Sequence, residues 1–182
     1  MIRLLDIVLA SVGLLFTWPI MLVICIVSLF DTGSPIFIQT RVGRYQKPFT
    51  LIKFRTMRVD TASVASHLAD RASITRFGSF LRRTKLDELP QLINVWFGSM
   101  SFVGPRPNLY NQTELIEARS QLGVYDARPG ITGLAQILEI DMSTPQKLAE
   151  TDARMLSSMS LGRYFTYIIK TALGAGAGDR IK

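Results

Sequence analysis

Thr84-Lys85-Leu86-Asp87-Glu88-Leu89-Pro90-Gln91 leads into an apolar run that ends at Gly104-Pro105-Arg106-Pro107. Two adjacent carboxylates stand just before a proline. Proline is tolerated at a first helical position, where its missing amide hydrogen would go unused, so Leu89-Pro90 reads as a helix start. Asp87 and Glu88 then lie at or just before the positive end of that helix, an end that also attracts phosphate. Arg82, Arg83 and Lys85 stand just upstream. Carboxylates held among cations stay ionised and let a phosphorylated substrate come close. Acidic residues at a helix start more often only complement the dipole, so the pair alone does not decide between the two readings.

The flanking sequence adds to the pair. Ser79 to Trp96 reads as helices on either side of it, the second ended by Phe97-Gly98-Ser99-Met100-Ser101. Arg106 is fixed between two prolines and has little freedom left to lose on binding phosphate. Arg128-Pro129-Gly130-Ile131-Thr132-Gly133 is a second stiffened loop carrying an arginine. Leu109 to Leu122 reads as a further helix. Thr144-Pro145 reads as the cap and first position of a helix carrying Lys147 and Asp152.

The chain has 182 residues, a net charge of +7, one cysteine (Cys25) and one histidine (His67). A disulfide within the chain is excluded, and a zinc site of cysteine and histidine has too few ligands. A metal, if used, is a hard cation bound by carboxylate and phosphate oxygens, which points to magnesium. The basic balance implies an anionic partner: nucleic acid, a membrane surface or a phosphorylated substrate. The interleaved basic and aromatic clusters of a nucleic-acid binder are not evident, and no nucleic-acid partner is expected.

Ile7 to Phe30 carries no charge and is long enough to cross a hydrocarbon core of ~30 Å as one helix. It lacks a cleavage-site pattern. Pro19 leaves the carbonyl of Leu15 without its helical donor and predicts a kink. A kinked span and a re-entrant hairpin turning at Pro19 both fit the sequence. The span is the more frequent outcome, and the positive-inside rule places the downstream Arg41, Arg44 and Lys47 in the cytoplasm in either case.

Asp31 to Pro35 is a turn-rich linker. Ile36-Phe37-Ile38 and Phe49 to Phe54 predict a short β-hairpin, with Lys53 and Arg55 on one face of its second strand. Thr61 to Ala72 predicts a helix with His67 at its surface. From Leu161 to Leu173 apolar residues follow helical spacing. That helix either faces the core or lies in the membrane interface with its tyrosines at headgroup level. The glycine-rich tail from Gly174 to Gly178 is expected to be flexible.

With these pieces placed, the chain resembles the bacterial sugar transferases that are monotopic phosphoglycosyl transferases, in a minimal catalytic form. The resemblance rests on Gln39-Thr40-Arg41-Val42-Gly43, Lys53-Phe54-Arg55-Thr56-Met57, Thr75-Arg76-Phe77-Gly78, Leu86 to Leu92, Val103 to Pro107 and Arg128 to Gly133. It implies an α+β protein. Residues 1–30 form a re-entrant membrane hairpin pivoting at Pro19. Residues 31–182 form a mostly helical cytoplasmic-face domain with a short β-hairpin and interfacial amphipathic helices. It implies transfer of a phospho-sugar from a UDP-linked, N-acetylated amino sugar to polyprenol phosphate with release of UMP, the first membrane step of glycoconjugate synthesis. Asp87 is then the nucleophile and Glu88, with Asp87, the magnesium site. Lys53, Arg55, Arg82 and Arg106 are phosphate contacts, and Arg128 and Asp152 are further substrate-site candidates. The implied location is the cytoplasmic face of the bacterial inner membrane, and a homodimer is a candidate assembly.

Two departures from the family pattern stand out. Trp18 precedes Pro19 where a serine is usual, and Leu138-Glu139-Ile140-Asp141 replaces an Asn-Gly-Arg-Asn type segment. The second implies a different sugar preference or a differently built uridine site. A membrane-anchored, non-catalytic adaptor of polysaccharide assembly is the alternative from another class, and the intact Asp87-Glu88 pair and Arg106 argue against it. A basic membrane protein that binds nucleic acid is a third, marked by a steep salt dependence.

Overall fold

The computed structural model describes residues 1–61 and 73–176. Helix α1 spans Ile2–Asp31, followed by an antiparallel hairpin of β1 (Ile36–Val42) and β2 (Pro48–Phe54). Helices α2 (Arg76–Thr84) and α3 (Gln91–Phe97) flank a single turn of 3-10 helix at Leu86–Glu88. Strand β3 (Ser101–Val103) pairs in parallel with β4 (Gly130–Thr132), and α4 (Thr113–Gln121) lies in the crossover between them. Helices α5 (Leu134–Ile137), α6 (Pro145–Ser157) and α7 (Leu161–Ala172) complete the fold. The mixed helix-and-strand class agrees with the sequence. The helix expected over Thr61–Ala72, with His67, lies outside the described residues but for Thr61.

The long apolar segment is one helix from Ile2 to Asp31. Helix continues through Pro19, so no loop separates two legs. Thr17 Oγ1 donates to Gly13 O at 2.8 Å, just upstream of the hydrogen bond that Pro19 cannot make. α1 is long and apolar enough to cross a membrane. Yet both of its halves touch the same body. Arg3 donates to Val95 O (2.5 Å) and Trp96 O (2.7 Å), capping the C-terminal end of α3. Ala10 packs with Leu51, Val95 and Met100; Ile24 packs with Phe54 and Leu81. At its end, Asp31 accepts from Thr75 Oγ1 at 2.6 Å, just before α2.

The buried end of this contact is polar. Asp6 Oδ1 accepts from Ser101 Oγ (2.9 Å), the Phe102 amide (3.1 Å) and Tyr164 OH (2.7 Å). One side chain thus joins α1, β3 and α7. Burial, and then Asp6 itself, push the Tyr164 phenol above its ordinary pKa. Tyr164 and Tyr167 are core residues packed with Val103 and Met155, so the expectation of tyrosines at headgroup level is corrected. The exposed stripe of α7 is instead Leu161, Phe165 and Ile169, continued by Leu173. The core-facing reading holds for one side of α7, and its opposite side is apolar as well.

Replacing Asp6 with Leu strands three donors in a buried site. It is expected to cost about 2–4 kcal/mol, and Tyr164→Phe about 1 kcal/mol. Denaturant unfolding in detergent measures both, and an Asp6→Leu protein as stable as the parent would remove this contact from the anchoring role.

Candidate active site

The carboxylate pair is placed by a reversal of the chain. α2 stops at Lys85, which adopts a left-handed conformation (φ 57°) and turns the chain into the Leu86–Glu88 turn. Leu86 and Leu89 pack against the cluster around Phe54 and Leu81. With these two side chains drawn into the core, Asp87 and Glu88 line a cleft on the other side. Pro90 caps α3 instead of occupying its first position, one residue earlier in role than expected. Asn94 fixes α3 to β2 by accepting from the Ile52 amide and donating to Thr50 O.

Arg82 is set by a similar contact. A side chain at Gly78 would collide with the carbonyl of Thr56, so α2 lies directly against that segment. The close approach lets Arg82 Nε donate to Thr56 Oγ1 at 2.8 Å.

Arg106 depends on the two glycine-containing loops. β-carbons at Gly104 and Gly130 would each strike the other loop's backbone. Their absence lets Gly104 N donate to Thr132 O and Gly130 N to Pro105 O, both at 2.9 Å. From the other side, Arg119 Nη1 donates to Arg106 O (2.9 Å) and Asn108 Oδ1 (2.9 Å), while Arg41 Nη1 donates to Pro107 O (3.2 Å). The Arg106 guanidinium stands 3.9 Å from Glu88 Oε1.

Two adjoining cavities result. Asp87, Arg82, Arg83 and Lys85 line one; Arg41, Lys53, Gln91, Glu139 and Asp141 line the other. Glu88, Arg106, Ile131, Gln136 and Gly176 border both. A ligand with two phosphates would therefore meet cations on either side of the carboxylate pair. Among the described residues no three His, Cys, Asp or Glu side chains cluster as a ready metal cage. Magnesium commonly takes only one or two carboxylates and completes its shell with substrate phosphate and water, so Asp87 and Glu88 suit it.

A sequence profile of the family described as Bacterial sugar transferase matches residues 1–176. The chain belongs to that family. Among similar proteins is a UDP-glucose:undecaprenyl-phosphate glucose-1-phosphate transferase of Xanthomonas campestris pv. campestris. It is 37% identical over 179 residues, covering 92% of this chain and 37% of the relative. An uncharacterized sugar transferase, EpsL, of Bacillus subtilis (strain 168) is 39% identical, covering 87% of this chain and 78% of the relative. A putative undecaprenyl-phosphate N-acetylgalactosaminyl 1-phosphate transferase of the same strain is 44% identical over 108 residues, 58% of this chain and 60% of the relative. The chain thus spans little more than a third of the first of these relatives.

Within this sugar-transferase fold the expected site residues divide. Asp87, Glu88, Lys53, Arg82 and Arg106 line the cavities. Arg55 does not: it donates to Ser34 O and Ile36 O and lies over the Phe37 ring, holding the linker. Arg128 donates to Gly98 O at 2.8 Å, away from the cleft. Asp152 is fully buried, with Oδ2 taking 2.6 and 3.1 Å bonds from Arg119. Burial pushes its carboxyl above the ordinary range while Arg119 pulls the other way. It holds the group that holds Arg106, and it lines neither cavity. Gln136 and Thr171 line the site without having been expected there, because neither a lone amide nor a lone hydroxyl carries a sequence signal. Arg41 stood in a family motif, but its side chain's direction depends on the hairpin register.

Asp152→Ala leaves Arg119 buried without its partner and is expected to cost about 3–5 kcal/mol. Arg128→Ala is expected to leave nucleotide affinity within about twofold, since its group lies outside the cleft. Thermal unfolding and nucleotide titration check the two.

Proposed function

We propose that this protein transfers a phospho-sugar from a UDP-sugar to polyprenol phosphate and releases UMP, with Asp87 as covalent nucleophile. The observation that carries the reading is the carboxylate pair at the junction of two cation-lined cavities. A diphosphate bridging them would lay one phosphate near Asp87. An Asp87 carboxylate oxygen attacks the phosphorus next to the sugar, the bond from that phosphorus to the bridging oxygen breaks, and UMP departs with the electron pair. An oxygen of polyprenol phosphate then attacks the same phosphorus and frees Asp87, so one difficult transfer becomes two easier ones. Arg106, Lys53 and Arg82 offset charge on the phosphoryl oxygens. Magnesium held by Glu88 and Asp87 would add to that neutralisation.

The relatives' names support a UDP-sugar donor and undecaprenyl phosphate as acceptor, but not one sugar. One is named for glucose and another for N-acetylgalactosamine. The expected N-acetylated amino sugar therefore stands beside glucose as a candidate.

The proposed location starts from α1. A straight helix of its length would reach about 45 Å, more than a bilayer core. An upright span would carry one end across the membrane, yet Arg3 and Asp6 at one end and Ile24 and Asp31 at the other hold the same domain. This supports a re-entrant or in-plane helix with both ends on the cytoplasmic face of the inner membrane. The exposed face of α1 and the Leu161, Phe165 and Ile169 stripe of α7 supply apolar surface for one leaflet.

A panel of nucleotide sugars, tested with polyprenol phosphate for UMP release, measures the activity directly; no release with any sugar returns the protein to the adaptor reading. Asp87→Asn is expected to abolish turnover in a folded protein. Glu88→Gln and Arg106→Ala should each cost at least about tenfold, the loss of a charge-assisted phosphate contact of ~1.5–3 kcal/mol. EDTA should stop the reaction, and full activity after chelation would refute the metal assignment. For topology, a cysteine at Ile2 in a Cys25→Ser background should resist a membrane-impermeant thiol reagent applied to spheroplasts; labelling there would overturn the in-plane arrangement.

A further inference from the structure

A third opening adjoins the carboxylate pair. Leu89 and Leu92 line it at the start of α3, Phe102 from β3, and Ile168 and Ala172 from α7. Leu89 packs with the cluster around Phe54 and Leu81, whereas Phe102 and Ile168 pack with the one around Tyr164. The groove is therefore a gap between two packed clusters, walled by half-buried apolar side chains. Leu92 is set by α1: a β-carbon at Gly13 would come within 3.1 Å of Leu92 Cδ1. The long apolar helix thus stands directly behind this wall.

One part of the groove is shared. Lys85, Glu88, Ile131, Thr132 and Thr171 line both it and the cavity that contains Asp87. The Thr132 and Thr171 hydroxyls bond to each other there and tie α7 to β4. Beyond the shared rim, Thr84 is the one polar lining residue among those described, and its hydroxyl already bonds to Phe80 O (2.9 Å) and Leu81 O (3.1 Å). Glu88 and Leu89 are consecutive, so the wall passes from charged to apolar within one residue. A matching ligand bears its phosphate directly on a hydrocarbon chain. A diacyl phospholipid puts a glycerol and two esters between phosphate and chains, and past the rim this wall offers those oxygens no donor.

We propose that the groove between α3 and α7 holds the first isoprene units of the polyprenol phosphate acceptor, while its phosphate enters the Asp87 cavity. The proposal rests on the transferase reading above. UMP leaves before the acceptor reacts, so the phosphate space beside Asp87 is used twice, once by each substrate. The groove serves the acceptor alone, and filling it spares the donor.

Full-chain protein in detergent and magnesium-containing buffer tests this in two ways. In the first, polyprenol phosphate carrying a photoreactive diazirine near its phosphate end is cross-linked, and the adducts are mapped by peptide mass spectrometry. Adducts are expected at Leu89 to Leu92 or at Ile168 to Ala172, suppressed by excess unlabelled polyprenol phosphate and not by phosphatidic acid. In the second, Ala172→Trp fills the groove from an exposed position, outside the core. It is expected to raise KM for polyprenol phosphate at least about tenfold and to leave UDP affinity, measured by calorimetry, within about twofold. Adducts confined to the exposed face of α1, or a parental KM in Ala172→Trp, would overturn the groove and leave the transferase reading standing. Equal suppression by phosphatidic acid would overturn the isoprenoid assignment. Competed adducts in the groove without UMP release from any nucleotide sugar would keep the lipid site and overturn the transferase reading. Neither adducts nor release would overturn both.

Discussion

One buried oxygen, Asp6 Oδ1, collects hydrogen bonds from a strand hydroxyl, a strand amide and a tyrosine of the last helix. At this point α1 is tied to both β3 and α7. α1 is long and apolar enough to cross a membrane, and hydrophobic burial alone would let it slide or roll against the domain. Directional bonds at Asp6 and Arg3 prevent both movements. Ala10, four residues on, then meets Leu51 and Val95 without clashing, because no larger side chain intervenes.

The site shows a division of labour among cations. Arg55, Arg119 and Arg128 donate to backbone carbonyls at Ser34, Arg106 and Gly98. Those contacts fix loops that have no regular secondary structure to satisfy their carbonyls. Arg106 and Lys53 line the cleft, and Arg41 does both, lining it while donating to Pro107 O. A guanidinium suits either role, since several fixed donors grip one or two carbonyls as readily as phosphate. This is why an arginine beside a motif is a poor guide to which of the two roles it fills.

The fold was legible where local pattern decides structure. The β-hairpin, the helices flanking Asp87-Glu88 and the proline-started helix at Pro145 were read from strand alternation, glycine and proline. What stayed hidden depends on distant partners. The β3–β4 pair joins two three-residue segments separated by a whole helix, too short to show a period. The sequence around Asp152 offered no way to separate a buried structural carboxylate from a substrate ligand, because its Arg119 partner lies 33 residues away. Tyr164 and Tyr167 follow a spacing that fits core and interface equally, and Asp6 decides it. Pro19 predicted a kink, and the helix runs on through it with Thr17 bonded to Gly13 O just upstream.

Gly78 lines neither of the two cavities, yet its missing β-carbon is what brings α2 against Thr56 and Arg82 to its hydroxyl partner. An alanine there would push the whole helix outward, and with it the last turn that delivers Lys85 and the carboxylate pair. The tolerance of the site to change is thus governed in part by an atom that does not exist. A search for variants altered at the carboxylate pair would find this position as intolerant as the pair itself, for reasons of excluded volume alone.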